Sequence, residues 1–148
     1  MRRSRDGVLI CLHDATVDRT SDGRGAAADL TFAQLRMLDA GSRHNPKYAG
    51  EKIPSLREVL ELCRGKITVM LDLKEQVPEY ADAITVVVKQ YGEPRRLILG
   101  VRSVEQATQF RKRLPEAKQI GLIPHPEADS GLRRGGSHGD PPLAPLVE

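Results

Sequence analysis

Tryptophan is absent from this 148-residue chain, and its aromatic residues number only three tyrosines and two phenylalanines. Few rings are available to stack on bases. The 23 Lys and Arg against 20 Asp and Glu leave a net charge of +3, spread over isolated basic pairs such as Arg2-Arg3, Arg95-Arg96 and Arg133-Arg134. A nucleic-acid reader needs more of both, so nucleic acid is not an expected partner. Cysteine is scarce too: Cys11 and Cys63 each fall inside an apolar run, at residues 8–12 and 56–63. Two such residues give neither a disulfide framework nor a zinc spacing, and they suit unpaired buried thiols. Long apolar runs are missing. No stretch approaches the length of a membrane span, and the apolar segment behind the charged start Met1-Arg2-Arg3-Ser4 is too short for an export signal. The expectation is a soluble, cytoplasmic protein, unless residues upstream of this start carry a signal. The length allows one domain, or a piece of one, with a real hydrophobic core.

What is present alternates between strand-like and helix-like segments. Residues 7–12, preceded by Asp6 in a turn dipeptide, read as a short buried strand with His13 and Asp14 at its C-terminal end. A polar stretch of 17 residues comes next, from Asp14 to Leu30, a length that marks functional or disordered loops. Thr31 with Gln34, and Ser55 with Glu58, form two capping boxes. They predict helices over 32–40, ending at Gly41, and over 56–63, ending at Gly65. Residues 67–73 read as a strand, which places Asp72 and Lys74 on one face. Residues 79–91 carry β-branched residues at 84–88, yet Tyr80, Ile84, Val87 and Tyr91 keep helical period, so a helix is expected. A strand at 97–101, a helix opened by Ser103 and Gln106, and a strand at 119–123 complete the order.

Strand and helix alternating in this way predict an α/β fold built from parallel βαβ units. Three regular strands cannot close an eight-stranded barrel, and each is expected to bury apolar side chains on both faces. The chain therefore reads as residues 1–123 of a partial (β/α)8 barrel, cut at both ends. Residues 124–148 hold five of the ten prolines and four of the thirteen glycines. They read as an irregular tail, or as a segment translated out of frame from near Asp129, because a helix should follow the last strand.

In a parallel barrel the functional residues lie at the C-terminal ends of the strands. His13, Asp14, Asp72 and Lys74 all occupy such ends. An imidazole, carboxylates and an ammonium at one mouth suit a metal-assisted reaction on a phosphate ester. The carboxylate holds a hard divalent cation, the cation and lysine neutralise phosphoryl oxygens, and the histidine moves a proton. Each residue also has a plainer reading. His13 could be a structural histidine, Asp14 a turn former, and Asp72 an ion-pair partner of Lys74 or another base, since a lone buried carboxylate is costly. The loop histidines His44, His125 and His138 are expected to be solvent-exposed and without a role.

The run His13-Asp14-Ala15-Thr16-Val17-Asp18-Arg19-Thr20, with Gly23 and Gly25 soon after, resembles the glycerophosphodiester phosphodiesterase family. The likeness continues through Asp39-Ala40-Gly41, through Ile53-Pro54-Ser55-Leu56 with Glu58-Val59-Leu60, and through Leu71-Asp72-Leu73-Lys74. It implies a barrel that binds one divalent cation, Ca²⁺ or Mg²⁺, and hydrolyses glycerophosphodiesters to glycerol 3-phosphate and an alcohol. By this resemblance His13 matches the second of two acid-base histidines, Asp72 a metal-ligand carboxylate and Lys74 a lysine facing the phosphate. The family usually has glutamate where Asp72 stands. Its His-Arg-Gly and Glu-x-Asp motifs, which supply the first histidine and two further metal ligands, are not found in residues 1–12. The resemblance therefore implies a family fragment, inactive alone. The competing readings are a non-catalytic α/β binding module or degenerate paralogue, and a helical His-Asp phosphohydrolase, against which the strand before His13 argues.

Overall fold

The computed structural model describes residues 1–122. Two β-sheets and four α-helices make up this stretch. β1 (Arg2–Arg3) and β2 (Leu9–Ile10) pair antiparallel, Arg2 opposite Ile10. Three strands, β3 (Val69–Asp72), β4 (Leu97–Val101) and β5 (Lys118–Gly121), form a parallel sheet in chain order. The helices are α1 (Phe32–Met37), α2 (Leu56–Cys63), α3 (Pro78–Tyr91) and α4 (Val104–Arg113). The parallel sheet and its crossover helices make this an α/β fold, as the alternation predicts. The Pro- and Gly-rich tail, with His125 and His138, lies outside the described residues.

The segment before His13 departs from expectation. It is one arm of a hairpin and takes no place in the parallel sheet. Gly7 has φ +82°, its N–H donates to the Ser4 carbonyl, and the Ser4 N–H donates to Val8 O, both at 3.0 Å. This turn folds β2 back onto β1. The far side of β2 is held by Cys11 N–H donating to Pro54 O at 2.9 Å, so the hairpin is tied to the entry of α2.

Both predicted capping boxes form. Ser55 Oγ accepts from Glu58 N–H while Glu58 Oε2 accepts from Ser55 N–H, and Thr31 and Gln34 repeat the arrangement at α1. α1 ends at Met37, short of the expected residue 40, because the chain turns to serve Asp39. That carboxylate accepts from the N–H groups of Gly41, Ser42 and Gly50 and from the Ser42 hydroxyl. Residues 84–88 are helical despite their β-branched side chains: Tyr80, Ile84 and Val88 are fully buried, and that packing outweighs local propensity.

Leu71, Leu73, Leu97, Leu99 and Val101 project from β3 and β4 into one core with Leu56 and Leu60 of α2, Tyr80, Ile84 and Val88 of α3, and Phe110 of α4. A second core gathers Ile10, Leu12, Val17, Leu35 and Ile53 under the 14–30 loop. The sheet is thus covered on one face. The expectation that each strand is buried on both faces does not hold, since Met70 is 50% exposed and Ile120 47%. Among the described residues, all the covering helices lie on the Leu71–Leu99 side. The opposite face carries Met70, Asp72 and Lys74 from the β3 segment and Ile98, Gly100 and Arg102 from the β4 segment, the arrangement of one wall of a barrel whose inner surface is open.

Candidate functional site

Parallel strands end together, so the residues just past their C-terminal ends converge. Asp72 closes β3, Lys74 comes two residues later on the same face, and Arg102 comes one residue after β4. Asp72 lies in register with Gly100, which has no side chain, so Arg102 can reach across. Its Nη2 donates to Asp72 Oδ1 at 2.7 Å, and the Lys74 ammonium donates to Asp72 Oδ2. Burial pushes the Asp72 carboxyl up, but the hydrogen bonds from Lys74 and Arg102 outweigh it and hold the carboxyl below its ordinary range.

The hairpin delivers His13 to the same place. Lys74 Nζ stands 3.4 Å from His13 Nε2, so one ammonium separates the imidazole from the Asp72 carboxylate. His13, Asp72 and Lys74, chosen from sequence, are therefore neighbours, well within the span of about 12 Å that one bound phosphate could bridge. On the other side of the ring, Nδ1 lies 2.7 Å from Asp14 Oδ1, and Arg19 Nε donates to Asp14 Oδ2 at 2.6 Å. The Arg19 hydrogen bond, then that of His13, lowers the Asp14 carboxyl to about 2. With a carboxylate at Nδ1 and an ammonium at Nε2, the contacts suit a ring that donates from Nδ1 to Asp14 and turns Nε2 toward Lys74. The ring is 72% exposed at the side chain, whereas Lys74 is only 11% exposed.

Arg102 was not singled out by the sequence, although the rule that selected Asp72 and Lys74 also covers the position just past β4. Its run, Val101-Arg102-Ser103, reads as a simple helix entry, and only the register of β3 with β4 brings it onto Asp72. Arg19 stood out only as part of a motif, and its work on Asp14 is tertiary. His44 is exposed and stacks on Tyr48 with ring centroids 5.7 Å apart. Cys11 and Cys63 are free and half-buried, and burial raises the Cys11 thiol to about 11.

The donor set can be tested against a divalent cation. Among the described residues, no three His, Cys, Asp or Glu side chains converge to hold a metal. Both oxygens of Asp72 and both of Asp14 already face cationic or N–H donors. These residues by themselves do not fit a metal centre.

The sequence profile of the glycerophosphoryl diester phosphodiesterase family matches residues 1–128. The chain belongs to that family. It is 35% identical over 124 residues to a glycerophosphodiester phosphodiesterase of Caldanaerobacter subterraneus subsp. tengcongensis, covering 81% of this chain and 51% of that protein. The fold is similar to a crystal structure of the Agrobacterium tumefaciens glycerophosphodiester phosphodiesterase, with a TM-score of 0.69, 31% identity, and 80% of this chain and 50% of the other covered. It is similar also to an Oleispira antarctica phosphodiesterase solved with its product sn-glycerol-3-phosphate, with a TM-score of 0.71, 27% identity, and 86% and 55% covered. The chain spans about half the length of these relatives. The family fold makes this parallel sheet a partial (β/α)8 barrel. Among the described residues no helix is long and apolar enough to cross a membrane.

Proposed function

We propose that residues 1–122 form one wall of a glycerophosphodiester phosphodiesterase site, which hydrolyses a glycerophosphodiester to glycerol 3-phosphate and an alcohol. The observation that carries this reading is the convergence of His13, Lys74, Asp72 and Arg102 at the strand ends of a family barrel. Lys74 and Arg102 supply positive charge where the phosphate gains negative charge in the transition state. Asp72 holds both cations in place. His13 Nε2 is the atom that moves a proton: it takes one from the water that adds to phosphorus, and as the bond from phosphorus to the alcohol oxygen breaks, that oxygen takes up a proton from solvent. Asp14, braced by Arg19, keeps the ring in the tautomer that this needs.

A divalent cation, Ca²⁺ or Mg²⁺, at Asp72 would polarise a phosphoryl oxygen. It would require Lys74 and Arg102 to release the carboxylate and further carboxylates to join it, and no step of the proposed reaction runs through it. Calorimetry of the 148-residue chain with either ion at about 1 mM is expected to show no site. The occupied Asp72 also favours a second reading, a phosphate-binding module without turnover. The deciding experiment places this segment in a complete barrel and compares it with His13→Ala. Turnover of glycerophosphodiesters should fall by roughly 10²- to 10⁴-fold with little change in binding. Near-normal turnover in the variant would make His13 structural, and no turnover in either protein would favour the binding module.

A further inference from the structure

A cleft of about 530 Å³ opens beside the candidate site, and its lining includes Arg2, Arg3, Arg5, Ala15, Ala27 and Glu75. It adjoins the site at two points. Arg2 Nε donates to the His13 carbonyl at 3.4 Å, and Glu75 is the next residue after Lys74. The charges do not cancel. Glu75 is taken by Arg3, with Arg3 Nη2 at 2.6 Å from Oε2, and that arginine also lies over the Tyr80 ring. Among the described residues, neither Arg2 nor Arg5 has a carboxylate partner. Asp6, next in the chain, feels the Arg5 charge but forms no ion pair with it, since its Oδ1 accepts from the Ser4 hydroxyl at 2.6 Å and from Phe32 N–H at 2.8 Å. Arg5 is exposed, but its backbone is fixed by N–H donating to Leu30 O at 2.8 Å. Two arginines without a carboxylate ion pair thus line a cleft whose lining also includes Ala15, Ala26, Ala27 and Ala28.

From this we infer that the Arg2–Arg5 cleft receives a second anionic group on the substrate, a carboxylate or phosphate carried by its alcohol half. The inference rests on the proposed phosphodiesterase reading. A deacylated glycerol carries hydroxyls only, so a second negative charge can come only from the alcohol side. With the scissile phosphate at Lys74, the cleft lies one residue away along the chain, and an anion there meets two cations that form no ion pair with a carboxylate among the described residues. The chain therefore selects acidic glycerophosphodiesters over zwitterionic ones.

The test uses the 148-residue chain and a matched pair of probes, glycerophosphoserine and glycerophosphoethanolamine, which differ by one carboxylate. Calorimetric titration at low salt should give the serine diester about fivefold tighter binding, as exposed ion pairs allow. In the double variant Arg2→Gln/Arg5→Gln that preference should vanish, with affinity for the ethanolamine diester unchanged. Lys74→Gln should weaken both diesters alike, which tests the underlying reading separately. Equal binding of the two diesters by the unmodified chain, or a preference that survives in the double variant, overturns the inference and leaves the phosphodiesterase reading standing. If neither diester binds, the reading itself fails. The cleft is then judged by O-phosphoserine alone: amide shifts at residues 2–7 that disappear in the double variant support an anion site, and their absence ends it.

Discussion

Asp14 is the residue on which the proposed proton transfer turns, although it touches no substrate in that scheme. Arg19 and His13 hold its carboxyl at about 2, below the usual 3.8. A carboxyl lowered by folding adds stability that is fully present above pH 4 or so and is lost as pH falls through about 2. Urea midpoints of the chain and of Asp14→Asn should therefore differ near neutrality and converge below that pH. Gly41 depends on sterics in a similar way. A Cβ there would meet the Tyr48 carbonyl oxygen at 1.9 Å, a backbone atom that cannot step aside. Gly41→Ala should cost about 2–3 kcal/mol, read as a lower urea midpoint with unchanged slope. The sequence marks Gly41 as a helix stop and as the end of the Asp39-Ala40-Gly41 motif. Its packing against the 46–50 turn is a contact between segments, and no local pattern shows it.

Among the elements, α2 shows the closest agreement between sequence and structure. Its capping box, apolar face and terminating Gly65 are all local signals, and the helix runs Leu56–Cys63 as they indicate. Ser55 also joins Ile10 in an isolated bridge, so it ties the hairpin to the helix as well as capping it. Ser55→Ala should destabilise the chain by about 1 kcal/mol, at the level of a lost N-cap, while Ser55→Asp should retain most of the stability. Thermal or urea unfolding followed by circular dichroism checks both. α3 was harder to read because Ile84 to Val88 satisfy strand propensity and helical period at once. Its burial against α2 and β3 decided the matter. β2 shows the opposite failure. Its apolar composition is that of a buried sheet strand, but the Asp6-Gly7 turn makes it pair backwards with β1, and pairing direction is a property of two segments.

At the scale of the whole molecule, the consequence of a half-covered sheet is association. Met70 and Ile67 are 50% and 58% exposed on and beside β3, and among the described residues β3 pairs with β4 alone on its ladder. Exposed strand edges and apolar faces template pairing with other chains. The 148-residue chain should self-associate as its concentration rises, which light scattering behind a sizing column would register, and Met70→Lys should reduce the effect. It should also show only background phosphodiesterase activity on its own, because cooperating catalytic groups fail together when some are missing.

Hydrophobic period, capping residues and glycine placement are local quantities, and they determined from sequence the helices, the parallel strands and hence the α/β class. The motifs around His13 and Asp72 likewise determined the family and three of the four converging side chains. Only the tertiary structure decided that β2 lies outside the parallel sheet, that one sheet face is uncovered among the described residues, and that Arg102 and Lys74 share the Asp72 carboxylate. Those outcomes depend on register and on distances between segments far apart in the chain, such as the Arg3–Glu75 pair, 72 residues apart. A pattern read along one segment carries no information about which other segment will lie against it.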